Sequence, residues 1–183
     1  MKMLEGYLST LFLISSIYGY SAFLKKVLDH SKEIYTIDYI YGILFLTIIS
    51  LFLNLLFPLK FFSLFFLLLG FFLFLIFLWF KYFRINFYTL LFVTFIIVFI
   101  SHEQGISYDS QLYHLQLLQL SSNYKSIFGI AGLQPHYAMN SSWHSMLGIL
   151  NFKLLNINFI YLANLSILII FINEALIKYF CKK

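Results

Sequence analysis

Five stretches of the chain run for about 17–21 residues without a charged side chain: Gly6–Leu24, Tyr39–Leu59, Phe61–Phe80, Ile85–Ser101 and Leu154–Asn173. A bilayer core about 30 Å thick takes roughly 20 apolar residues to cross as a helix. Lipid offers the backbone no hydrogen-bond partner, so such a stretch closes its own bonds as a helix. Hydrophobic residues make up 62% of the 183 residues and charged residues only 10%, whereas a soluble domain is about half apolar and about a quarter charged. A fold of this size has too little polar surface to coat that much apolar material. The pattern excludes a soluble enzyme, a disordered chain and a nucleic-acid-binding domain. The expected fold is all-α: a polytopic transmembrane bundle of about five spans, forming a single integral membrane domain over residues 1–183.

Pro58 and Lys60 punctuate the second and third stretches, which predicts a tight turn and a helical hairpin. The first stretch follows Lys2 but lacks a convincing cleavage site, and four more follow it, so it reads as a retained helix. The net charge of +5 is scattered between the apolar runs and reads as a topology signal. With the N-terminus outside, Lys25, Lys26, Lys32, Lys81, Arg84, Lys178, Lys182 and Lys183 face the cytoplasm, and Lys2, Lys60, Lys125 and Lys153 lie outside. That orientation obeys the positive-inside rule and puts residues 102–142 in an extracytoplasmic loop. The lone cysteine, Cys181, forms no internal disulfide and reads as a plain thiol, with palmitoylation the less favoured alternative.

Residues 102–144 are not generic apolar sequence. They hold His102, His114, His136 and His144, four of the five histidines, together with Glu103 and Asp109. The leucines from Ser110 to Leu120 predict a short interfacial helix. Gly129, Gly132 and Pro135 keep the chain in a loop. Asn140-Ser141-Ser142 then precedes Trp143, which suits a membrane-interface belt. Met146–Leu155 is too short to span and reads as an interfacial or re-entrant helix. The asparagines of the last stretch (Asn156, Asn158, Asn164 and Asn173) are expected to bond to neighbouring helices.

Asp109 has two readings. Spacing favours an N-cap whose carboxylate accepts backbone N–H bonds. The alternative is a general base at the membrane face, where desolvation raises a carboxyl pKa and suits it to proton abstraction. The histidines lack metal-ligand spacing, so hydrogen-bonding roles are favoured over a metal site. No cofactor is implied, and a divalent metal has no support. Asn140-Ser141-Ser142 and Asn164-Leu165-Ser166 match the glycosylation pattern, a match common by chance.

The run Tyr108-Asp109-Ser110-Gln111-Leu112-Tyr113-His114-Leu115-Gln116 is followed by Gly132-Leu133-Gln134-Pro135-His136 and Asn140-Ser141-Ser142-Trp143. This order resembles an uncharacterised family of bacterial multi-pass membrane proteins related to the GT-C glycosyltransferases. That family carries Asp-x-x-x-Tyr-His in an early extracytoplasmic loop and Gly-Leu…His…Asn-Ser-Ser-Trp soon after. The resemblance covers about 36 residues. It implies many transmembrane helices in the bacterial cytoplasmic membrane, an active site at the outer face and a polyprenyl-phosphate sugar donor. It assigns Asp109 as base on the acceptor hydroxyl. Tyr113 and His114 would shape the site or contact the donor phosphate, and His136 and Asn140 would bond to phosphate or sugar.

Two departures stand out: Asp109 lacks a second acidic neighbour, and Arg84 is the sole arginine. The chain is expected to be the N-terminal part of a longer GT-C-like protein, working with missing C-terminal helices or another membrane subunit. The competing expectations are a non-enzymatic subunit of a glycan assembly or export complex, and an inactive truncated remnant.

Overall fold

A computed structural model describes residues 2–29, 33–101, 115–127, 142–154 and 157–180. Among them the fold is helical: α1 (Lys2–Asp29), α2 (Tyr39–Leu56), α3 (Ser63–Trp79), α4 (Phe87–Ser101), α5 (Leu115–Asn123), α6 (Ser142–Ile149) and α7 (Phe159–Phe180). Two-residue strands β1 (Lys153–Leu154) and β2 (Ile157–Asn158) pair antiparallel, with Lys153 opposite Asn158. Single 3-10 turns at Thr36–Asp38 and Leu59–Phe62 precede α2 and α3.

Among the described residues, four helical segments are long and apolar enough to cross a membrane: Met3–Leu28, Thr36–Leu56, Leu59–Trp79 and Phe159–Tyr179. α4 is apolar but has 15 residues, about 22 Å at helical rise, short of a roughly 30 Å core. The segments differ in burial. The first is 61% buried, against 28%, 33% and 39% for the other three. α1 is therefore the axis of the bundle, and α2, α3, α4 and α7 pack around it. Their outer faces keep Phe52, Phe65, Phe72, Phe92, Phe99 and Phe171 exposed, a surface for lipid rather than water.

The sequence of α1 explains its position. Small and hydroxyl-bearing residues alternate with large ones along it, so neighbouring backbones approach closely. A methyl group added to Gly19 would collide with the Gly70 carbonyl oxygen of α3, and one on Gly42 of α2 would collide with the Ile17 carbonyl of α1. Around these contacts the Ser16 hydroxyl donates to the Leu67 carbonyl at 2.9 Å, and the Tyr20 hydroxyl donates to the Phe66 carbonyl at 2.6 Å. The Gly42 N–H donates to the Ser21 hydroxyl oxygen at 3.1 Å. Such bonds hold well where no water competes for the groups.

Three expectations are corrected. α2 and α3 follow each other across Pro58, but each packs against α1 and not as a two-helix hairpin, because the glycine contacts of both lie on α1. The short helix before the last span runs Ser142–Ile149, not Met146–Leu155. The last span starts at Phe159, not Leu154, since β1 and β2 intervene. Asn158 fixes that start: its Oδ1 accepts the Ile160 N–H at 3.1 Å, the capping role this residue type favours.

At one end of the bundle, backbone pairing joins the connections before α2 and before α4. The Ile34 N–H donates to the Tyr82 carbonyl, and the Arg84 N–H donates to the Ile34 carbonyl, each at 2.8 Å. The Arg84 guanidinium crosses to Glu33 at 3.1 Å over this pairing. The opposite end carries α5, α6 and the strand pair.

Candidate functional site

The residues singled out by the sequence, Asp109, Tyr113, His114, His136 and Asn140, all lie outside the described residues, as do Glu103 and His102. His144 is described; it lies half-buried on α6. The structure does show what holds the chain on either side of the two segments that contain them. Those flanks are the end of α4, α5 with the residues to Ile127, and α6.

α5 is the part of the expected Ser110–Leu120 helix that is described, and it continues to Asn123. Its apolar side is pinned by Leu118, while Gln116 and Gln119 are exposed. Asn54, in the last turn of α2, clips the end of α5 to the bundle. Its Nδ2 donates to the Ser121 carbonyl at 2.8 Å and the Tyr124 carbonyl at 3.1 Å. Its Oδ1 accepts the Ser126 hydroxyl at 2.9 Å. The Asn54 backbone carbonyl also accepts the Ser126 N–H at 2.7 Å. One buried carboxamide thus satisfies an open carbonyl in the last turn of α5 and the carbonyl of Tyr124 just beyond it, a task usually left to water or a cap.

A second polar chain runs beside it. The Asn151 Nδ2 donates to the Ser122 hydroxyl oxygen, and the Asn158 Nδ2 donates to the Asn151 Oδ1, each at 2.8 Å. This chain couples α5 to the turn after α6, to β2 and to the start of α7. Gly148 of α6 fits here because an added methyl would meet the Ser121 hydroxyl at 2.7 Å. Gly6 of α1 faces Val98 of α4 and Ile157 of β2 across ordinary van der Waals contact. The first turns of α1, the end of α4, α5, α6 and the strand pair therefore gather at one end of the bundle. The two segments carrying the motifs leave from and return to that end.

The network was missed from the sequence. Its signal was present: Thr47, Ser50 and Asn54 recur at three- and four-residue steps in an otherwise apolar stretch, and such a stripe marks the protein-facing side of a membrane helix. Asn158 bonds within its own connection rather than to a neighbouring helix, and Asn164 is exposed. Lys25, read as a mark of the cytoplasmic side, is buried against Asp38. Among the described residues no three His, Cys, Asp or Glu side chains come together as a metal site.

The model of a family described as a domain of unknown function, DUF8201, matches residues 3–183. No curated protein and no solved structure matches the chain.

Proposed function

The chain belongs to the DUF8201 family, and we propose for it the role of a GT-C-like integral membrane protein that transfers a sugar from a polyprenyl-phosphate donor during cell-surface glycan assembly. The observation that carries this reading is the ordered motif pair, Asp109…Tyr113-His114 and Gly132-Leu133…His136…Asn140-Ser141-Ser142-Trp143. The four apolar helices of spanning length and the polar clips at the end from which the motif segments depart support it. In this reading that end faces outward from the bacterial cytoplasmic membrane.

The chemistry follows from the residue types. Asp109 takes the proton of the acceptor hydroxyl as its oxygen bonds to the anomeric carbon of the donor sugar. The bond from that carbon to the phosphate oxygen breaks, and polyprenyl phosphate leaves. Tyr113 and His114 donate to the phosphate as charge grows on it, and His136 and Asn140 hold phosphate or sugar hydroxyls. Donors aimed at developing charge contribute most where water is excluded.

The test is Asp109→Asn and Asp109→Ala in cells carrying the intact locus. Glycan output is expected to fall about 10²-fold or more, with the protein retained in the membrane. Unchanged output at normal protein level removes the catalytic role. A second reading, a non-enzymatic subunit, is favoured by Asn164, a carboxamide exposed beside Tyr161, Leu168 and Phe171 on the outer face of α7. It expects tolerance at Asp109 and loss of assembly on Asn164→Leu.

A further inference from the structure

Setting aside their first and last turns, the four spanning segments expose one polar side chain among the described residues, Asn164 of α7. Elsewhere inside the spans the polar groups turn wholly or partly inward: Ser16 and Ser21 of α1, Ser50 and Asn54 of α2, and Ser166 and Asn173 of α7 are buried. Asn164 lies five residues into the span Phe159–Tyr179, about 7.5 Å at helical rise. A span of 21 residues matches a hydrocarbon core of roughly 30 Å, so that depth is below the headgroups. The Asn164 carboxamide makes no hydrogen bond among the described residues, and an amide facing hydrocarbon without a partner is costly.

The residues around Asn164 form a helix seam. Tyr161, Asn164, Leu168, Phe171 and Ala175 follow one another at alternating steps of three and four, the spacing that keeps one stripe turned toward a partner helix. The first four are exposed and Ala175 is half-buried, while Leu162, Ser166, Ile169 and Asn173 on the other side are buried. The stripe ends at Lys178 in the last turn, whose long side chain carries its charge to the water layer. α7 thus has one face against α1 and α4 and a second seam outside that holds a single carboxamide. The membrane and the amide together select the partner. Copies inserted in one membrane share an orientation, so two α7 helices about a two-fold axis along the membrane normal run parallel, and each residue meets its counterpart at one depth. A carboxamide both donates and accepts, so it complements itself there, and one Asn in an apolar seam fixes register and strand number. A lipid acyl chain on the same face offers neither donor nor acceptor.

We propose that the outer face of α7 is the interface with a second copy of this chain: two α7 helices pack in parallel, and their Asn164 carboxamides hydrogen-bond to each other across the two-fold axis. The dimer rests on the same carboxamide that favours the subunit reading, but it holds equally for a transferase. Its failure is read in cross-links, and the failure of either function in the Asp109 variants. The full chain is oxidised in native-membrane vesicles, in a Cys181→Ser background with single cysteines on the outer faces. Leu168→Cys and Phe171→Cys are expected to yield a species of twice the chain mass, whereas Phe52→Cys on α2 and Phe72→Cys on α3 are not. Energy transfer between chains labelled at Cys181, diluted in phosphatidylcholine vesicles, then measures the dimer dissociation constant. Asn164→Leu is expected to raise it about three- to tenfold, and Asn164→Gln, which keeps both donor and acceptor, to restore most of the affinity. Cross-linking at Leu168→Cys no greater than at Phe72→Cys overturns the proposal, as does an unchanged dissociation constant in Asn164→Leu. A cross-linked species of another mass in place of the dimer overturns it as well, since the seam would then hold a different protein.

Discussion

The Lys25 ammonium meets the Asp38 carboxylate at 2.5 Å, and the two side chains are only 10% and 8% exposed. The pair joins the last turns of α1 to the 3-10 turn that opens α2. The Asp38 carboxylate also accepts the Tyr35 N–H at 2.7 Å, and the Lys25 ammonium lies 5.2 Å from the centre of the Tyr35 ring. Removing one partner strands the other charge in a poorly solvated place. Lys25→Met and Asp38→Ala are each expected to cost about 3–5 kcal/mol. The double variant Lys25→Met/Asp38→Ala should cost much less than the sum. Denaturation in micelles, arranged as a double-mutant cycle, measures the coupling; additive losses would show that the pair does not act as a unit.

Asn54 carries the connection between α2 and α5 through three side-chain hydrogen bonds. Asn54→Ala leaves two carbonyls and the Ser126 hydroxyl without it. At roughly 1 kcal/mol for each bond, a loss of about 2–3 kcal/mol is expected, concentrated in α5. Hydrogen exchange checks this locally: amides of residues 115–124 should lose protection while those of α1 and α3 keep theirs. If α5 protection is unchanged, the clip is redundant with the apolar contacts of Leu118.

Outside the spanning segments, Glu33 accepts the Tyr35 hydroxyl at 2.6 Å and the Arg84 guanidinium at 3.1 Å. These bonds, the tyrosine first and the arginine next, hold the Glu33 carboxyl below the usual carboxylate range, and the same bond raises the Tyr35 hydroxyl above its usual range. The carboxyl is depressed in the folded state. Its contribution is therefore complete above the ordinary carboxylate range and is lost as pH falls through the depressed value. Tyr35→Phe is expected to move the Glu33 titration back up, read by carbon NMR of the side-chain carboxyl. Because the group is exposed, the melting temperature at neutral pH should hardly change.

How much was legible depends on what each feature rests on. The apolar stretches announced α1, α2 and α3 because membrane crossing leaves one solution for the backbone. The central place of α1 was written less visibly, in Gly19, Ser16 and Ser21. Small residues mark close approach, but only the partners Gly70 and Gly42 reveal which helices approach. The start of α7 was misjudged because Leu154–Asn158 carries no charge, and only the pairing of Lys153 with Asn158 shows strand structure there. The Lys25–Asp38 pair was hidden because charge at the edge of an apolar stretch reads as a boundary; a contact across 13 residues does not show in a linear pattern. The clip at Asn54 was half legible, as a polar stripe without a visible partner. Asp109, Tyr113, His114, His136 and Asn140 rest on a motif whose residues lie outside those described, so their chemistry is carried by order and residue type.

Asn173 offers the sharpest test of that polar reading of α7. The sequence suggests an amide bonded to a neighbouring helix. In the fold the residue is wholly buried, and neither its Oδ1 nor its Nδ2 has a hydrogen-bond partner among the described residues. Ser166, two helical turns earlier on the same face, is also buried but accepts the Tyr39 hydroxyl at 2.8 Å, so this face does make polar contacts where a partner exists. A buried carboxamide without partners costs its desolvation, about 1–3 kcal/mol, whereas an apolar group of like shape does not. Asn173→Leu is therefore expected to stabilise the protein by about 1 kcal/mol or more, and Asn173→Ala to gain less because it leaves a cavity. Thermal unfolding in micelles orders the three: leucine above asparagine supports an unmet amide at this position. A loss on Asn173→Leu as large as that on Asn173→Ala would instead mean that the amide is satisfied by a bound water or by residues beyond those described.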